Sequence, residues 1–200
     1  KRRMETKEKH SWKVEEKEWY VAKSKPVWVT IPKFRFFTIA APSRPEEKEW
    51  KAAMEVLLRF SKFIHQMPKR GFFPGGYYPY VVYPMEFEKQ GDQARLMVRQ
   101  PSFVTESIAR MTVTGLTSTN PHPLLQQVHM REKEDGRCIQ VGVTGMEQWK
   151  EAWQALEAQA EKEGVLLSTD RYRVIALNDW VKTAPEKRKM TLRRFVVESE

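Results

Sequence analysis

The chain has 200 residues, 40% of them hydrophobic and 30% charged, with a formal net charge of +9. Such a chain is too apolar for disorder, and no apolar run approaches the ~18 residues that a membrane span needs. Cys138 is the single cysteine, which excludes an internal disulfide, fits a reducing compartment and points to a cytoplasmic location.

Residues 1–18 alternate lysine and glutamate and read as a charged, flexible tail ahead of one domain over 19–200. Val27–Ile31 is a short β-branched strand that Pro32 ends, and Phe34–Ala41 is a second, aromatic-rich one. Pro42, Ser43, Pro45, Glu46 and Glu47 form a helix-start signal. Apolar residues at Trp50, Ala53, Met54, Leu57, Leu58 and Ile64 then predict a helix over Glu46–Met67, stopped by Pro68. Glycines and prolines make Gly71–Pro79 a loop. Strands follow at Tyr80–Met85 and Ala94–Arg99, joined by a turn at Gln90-Gly91-Asp92. A helix is expected from Phe103 to Leu116, then a linker to Pro123.

The second half repeats this order. Asp135-Gly136 predicts a hairpin between Gln126–Lys133 and Arg137–Val143. Trp149, Ala152, Trp153, Leu156 and Ala160 make one apolar stripe of a helix over Met146–Lys162, closed by Gly164. Strands at Arg171–Leu177 and Thr191–Val197 complete the chain, connected by Trp180–Lys187. The implied fold class is α+β. Duplicated strand-helix-strand-strand halves (about 19–116 and 124–200) are related by a pseudo-two-fold axis. Two long helices cover an antiparallel sheet, and a cleft lies between the halves.

His10, His65, His122 and His129 lack metal-ligand spacing, and no nucleophile–base constellation is visible. No catalytic residue, metal or cofactor is therefore assigned. Tyr77, Tyr78, Tyr80 and Tyr83 crowd together behind Phe72 and Phe73, offering flat contact area. Lys182, Lys187, Arg188, Lys189, Arg193 and Arg194 stand against one acid, Glu186, as a candidate surface for nucleic acid or a protein partner. The absence of a groove-reading motif argues against sequence-specific nucleic-acid binding.

Three stretches resemble the GyrI-like small-molecule-binding family, particularly its stand-alone bacterial members. Tyr80-Val81-Val82-Tyr83-Pro84-Met85-Glu86 is similar to the family's strand ending in Pro-Leu-Glu. Leu96-Met97-Val98-Arg99-Gln100-Pro101-Ser102-Phe103-Val104-Thr105 is similar to its Met-Ile-Arg-Gln-Pro-Asp-Phe-Val-Thr segment. Leu177-Asn178-Asp179, Thr183-Ala184-Pro185-Glu186-Lys187 and Leu192-Arg193 resemble three further elements in the same order. The resemblance implies the duplicated fold and a ligand cleft, in a family that contains multidrug-binding domains and hydrolases of cyclopropane-type DNA alkylators. It implies a binding site made of Tyr83, Met85, Glu86, Met146, Trp149, Val174 and Ala176. Val174 and Ala176 stand where relatives carry a glutamate and a tyrosine, so binding of an apolar or aromatic small molecule is expected over turnover. If the chain is instead a hydrolase, Glu86 and tyrosine hydroxyls are the groups to act on a water.

Overall fold

The computed structural model describes residues 8–197. Of the charged stretch read at 1–18, residues 1–7 lie outside the described residues. The rest forms helices α1 (Trp12–Glu15) and α2 (Lys17–Tyr20). Within it Trp12 and Glu16 are buried. Strand β1 (Val27–Ala40), helix α3 (Lys48–His65) and strands β2 (Met85–Gln90) and β3 (Gln93–Gln100) follow. Helix α4 (Glu106–Thr119) leads to β4 (His129–Thr144), α5 (Trp149–Lys162), β5 (Leu167–Ala176) and β6 (Lys189–Val196). All six strands pair antiparallel, and the sheet closes on itself in the order β1-β3-β2-β5-β6-β4. No helix among the described residues is long and apolar enough to cross a membrane.

Three strand expectations are corrected. Pro32 does not end the first strand. The β1–β4 ladder pairs Ile31 with Gly136 and Lys33 with Glu134, so only the proline's own position lacks a donor. Asp135-Gly136 does not turn the chain either. Gly136 has φ of 63° and kinks a continuous β4, which is zipped to β1 from Val27 through Thr38. A turn dipeptide yields here to tertiary pairing on both sides of it. The strand expected at Tyr80–Met85 begins only at Met85, because Pro79 and Pro84 remove donors on either side, leaving Tyr80 a lone bridge to His10.

The two long helices cover the outside of the closed sheet. Helix α3 packs on β1 and β3, and α5 on β4 and β6, with α4 lying against α3. Their stripes bury Trp50, Ala53, Leu57, Phe60 and Ile64 from α3 and Leu156 and Ala160 from α5.

The inside of the sheet is filled by the N-terminal segment and by charge. Gln140 Nε2 donates to the Glu18 carbonyl at 2.7 Å, Thr191 Oγ1 to the Tyr20 carbonyl at 2.7 Å, and Arg193 Nη2 to the Trp19 carbonyl. The Gly142 N–H donates to the Lys23 carbonyl at 2.7 Å. A Cβ at Gly142 would stand 2.5 Å from the Ala22 carbonyl oxygen, so only glycine lets the segment lie this close. Gly142→Ala is therefore expected to cost about 1–3 kcal/mol, seen as a lower urea midpoint with unchanged slope. A midpoint equal to that of the parent would show that the segment moves aside without cost.

Candidate functional site

Side-chain alternation divides the β2 and β5 residues between two environments. Met85 and Phe87 on β2, and Tyr172, Val174 and Ala176 on β5, face the helices. Glu86, Glu88 and Arg173 face the barrel interior, where each is at most 1% exposed. The outer residues line a groove over the β2–β5 seam, beneath the N-terminal ends of α3 and α5.

The groove has three adjoining hollows. The central one, about 310 Å³, is walled by Trp50 of α3, Phe87, Tyr172, Trp149 at the start of α5, and Trp180 of the β5–β6 loop. Met146 and Val174 complete its floor, and Ser43 and Pro45 of the β1–α3 loop its rim. A second hollow of about 270 Å³ shares Trp50 and Trp180 and continues past Trp12, Met85 and Ala176. A third, about 410 Å³, shares Trp149 and Tyr172 and runs out along Trp153. Trp12, Trp50, Trp149, Trp153 and Trp180, five of the chain's seven tryptophans, thus line one continuous surface. Trp149 and Trp153 stack at 6.2 Å with planes 24° apart, and Tyr172 meets both edge-on at 5.5 and 5.3 Å. Arg194 backs the Trp153 ring at 3.8 Å.

Of the residues expected in the site, Met146, Trp149 and Val174 meet in the central hollow, and Met85 and Ala176 in the second. Tyr83 and Glu86 do not join them. The Tyr83 hydroxyl donates to Glu16 Oε1 at 2.8 Å in a buried cluster. His10 pairs with the same carboxylate at 2.6 Å, and Arg99 bridges Glu16 to the Tyr20 hydroxyl. Burial pushes the Glu16 carboxyl up, but Arg99 and His10 outweigh it and hold it below its ordinary value.

Glu86 belongs to the interior cluster. Arg173 Nη1 donates to Glu86 Oε1 at 3.1 Å, while Arg173 Nη2 reaches Glu88 and Asp135, both at 3.0 Å. Burial raises the Glu86 carboxyl above the usual range, and Arg173 and Arg193 only partly offset it. Glu88 is buried too, yet Arg173, Lys133 and Arg171 reverse the effect and hold it well below that range. Neither acid lines the groove. Cys138 faces the same interior beside Ile31 and Phe195, and burial pushes its thiol up to about 11, which fits a packing role.

Trp50, Phe87, Tyr172 and Trp180 were not among the expected site residues. Tyr172 stands two residues before Val174 and Phe87 two after Met85, so period-two alternation contained the signal for both. Trp50 sits in the helical stripe and reads as core from sequence, and Trp180 lies in an irregular loop. Of the basic residues in the run 182–194, Arg188, Arg193 and Arg194 are buried, while Lys182, Lys187 and Lys189 are exposed. Arg188 binds Glu46 at 2.9 Å, Arg193 meets Asp135 at 3.5 Å, and Arg194 donates to the Ser168 carbonyl at 2.8 Å. Among the described residues, no group of three or more His, Cys, Asp or Glu side chains could hold a metal ion.

No protein-family model matches the chain, and neither does any curated protein. Solved structures do. The chain is similar to a hydrolase encoded by lin2189 from Listeria innocua, with 25% identity and a TM-score of 0.89 over 95% of this chain and 100% of that one. A structure of a hydrolase from Listeria innocua gives 26% identity and a TM-score of 0.88 over 94% and 100%. The EcmrR C-terminal domain stands much lower, at a TM-score of 0.48 and 10% identity over 90% and 99%.

Proposed function

We propose that the protein binds flat, apolar or aromatic small molecules in the groove over the β2–β5 seam. The observation that carries this reading is ring density: Trp50, Phe87, Trp149, Tyr172 and Trp180 surround one hollow of about 310 Å³. That volume suits a small drug-sized molecule, and each favourable ring contact contributes about 0.5–1.5 kcal/mol beyond area burial. The resemblance to the GyrI-like family agrees with it. So does the element order, strand-helix-strand-strand on either side of α4, which we read as a duplication. The pairings β1–β3–β2 and β4–β6–β5 are equivalent under that reading, and the groove then lies where the halves meet.

The test is titration with a planar fluorescent dye such as anilinonaphthalene sulfonate. Binding is expected to quench tryptophan emission. Trp149→Phe should remove much of that signal, and Trp149→Ala should weaken binding roughly tenfold, the effect of about 1.4 kcal/mol. A dye that leaves the emission unchanged, with no heat of binding, rejects the reading.

Hydrolysis of a strained or activated xenobiotic is the second reading, favoured by the two Listeria innocua structures described as hydrolases. The groups available to it in the groove include Ser43, Asp179 and Glu157, and Tyr172, whose hydroxyl burial raises. Turnover of cyclopropane-type alkylators is expected to be slow or absent. Fast turnover abolished by Tyr172→Phe, with dye binding intact, would replace binding by catalysis as the function.

A further inference from the structure

The central and second hollows meet at a pass between Trp50 and Trp180, both of which line each side of it. The half-buried Trp149 apart, whose Nε1 also donates to no acceptor among the described residues, the indoles around the groove differ in one respect. Trp12 Nε1 donates to the Val82 carbonyl at 2.9 Å, Trp153 Nε1 to Glu157 at 2.9 Å, and Trp180 Nε1 to the Lys189 carbonyl at 3.3 Å. Trp50 is 2% exposed, and its Nε1 has no acceptor among the described residues. A buried donor left unmet costs about 1–3 kcal/mol, which an acceptor on a bound molecule would recover.

The electrostatics of the pass point the same way. Trp50 lies in the first turn of α3 and Trp149 opens α5, so two helix N-termini with their partial positive charge converge on the central hollow. Neither helix carries a side-chain cap hydrogen bond, although the first-turn acids Glu49 and Glu151 offset part of that charge. No carboxylate lines the central hollow to favour a cation.

We propose that Trp50 is the specificity-determining donor of the groove. Its ligands are elongated aromatic molecules that lie across the pass and present a hydrogen-bond acceptor, a carbonyl or ring oxygen, to the Trp50 indole N–H. The rings on either side of the acceptor occupy the central and second hollows. This inference rests on the binding reading of the groove.

The test compares flavone with phenylnaphthalene, two flat multi-ring molecules of similar outline, only the first of which carries oxygen acceptors. Calorimetric titration of the wild-type protein is expected to show flavone binding roughly tenfold more tightly. In Trp50→Phe that preference should disappear, the flavone-to-phenylnaphthalene affinity ratio falling to about one whatever the loss of ring contact common to both. The wild-type protein provides a second readout that needs no variant to fold. The Trp50 indole N–H resonance should move downfield and exchange more slowly with solvent when flavone binds, and should do neither with phenylnaphthalene. Equal affinities, a preference that survives Trp50→Phe, or an unmoved resonance with flavone bound would each overturn the inference and leave the groove a binding site. Failure of both molecules to bind would bring down the binding reading together with it.

Discussion

Arg173→Met is expected to lose about 3–5 kcal/mol of stability at neutral pH, because it strands buried carboxylates without their principal partner. Arg173 is fully buried and joins Glu86, Glu88 and Asp135 through Nη1 and Nη2 at 3.0–3.2 Å. Arg171 and Lys133 still reach Glu88, and Arg193 still reaches Asp135 at 3.5 Å, but Glu86 keeps no donor. Urea unfolding measures the loss, and a change below about 1 kcal/mol would mean that the remaining bases re-form the cluster. The pH dependence has two opposing parts. Glu88 and Asp135 have lowered carboxyl values, so their contribution is present above about pH 4 and lost as pH falls through their folded values. Glu86 is raised, so its contribution is present below about pH 4 and lost as pH rises through its folded value. Glu86→Gln should therefore gain on the parent protein as pH rises from about 4 toward 7. A difference between the two that stays flat across that range would contradict the buried placement of this carboxylate.

A chain that begins at Ser24 is expected to lose cooperative folding altogether. Residues 10–23 place Trp12 and Tyr20 in the core at 5% and 2% exposure, and burial of each such side chain stabilises by about 1.5–3 kcal/mol. Their removal also takes the acceptors from Gln140, Thr191, Arg193 and the Gly142 N–H, and leaves Arg99 without Glu16. These losses together approach the whole stability of an ordinary domain, about 5–15 kcal/mol. Near-ultraviolet circular dichroism and a thermal scan provide the measurement. A sharp transition within a few degrees of the full chain would show the segment to be dispensable.

The helices were legible because their stripes are long. Trp50 through Ile64 and Trp149 through Ala160 repeat at helical spacing over several turns, and the observed ends fall within three residues of those expected. The strands were legible in order but not in number or extent: eight were expected and six form among the described residues. Pro32 and Asp135-Gly136 are strong local signals that a long β1–β4 ladder overrides, and sequence carries no direct trace of a partner strand. The site was half legible. Met146, Trp149 and Val174 followed from motif positions, whereas Glu86 was drawn to the groove as the one acid of its motif. Its side is decided by the pleat: Met85 and Phe87 face the helices, so Glu86 turns inward to Arg173. The interior cluster itself was invisible, since Glu88, Asp135 and Arg173 are far apart in sequence and look like ordinary surface charges.

The closure of the sheet has a consequence for association. Every strand has a hydrogen-bonded neighbour on both sides, from β1 between β3 and β4 round to β6 between β5 and β4. The pairing is one-sided, however, over residues 27–34 of β1, which meet only β4, and residues 129–137 of β4, which meet only β1. Where both sides are paired, a partner must read side chains, through helix faces or loops, and finds no backbone ladder along which to stack. That protects a molecule with a strand-rich, aromatic sequence against templated aggregation while it stays folded. Along those doubly paired stretches the exposure returns only when the barrel opens.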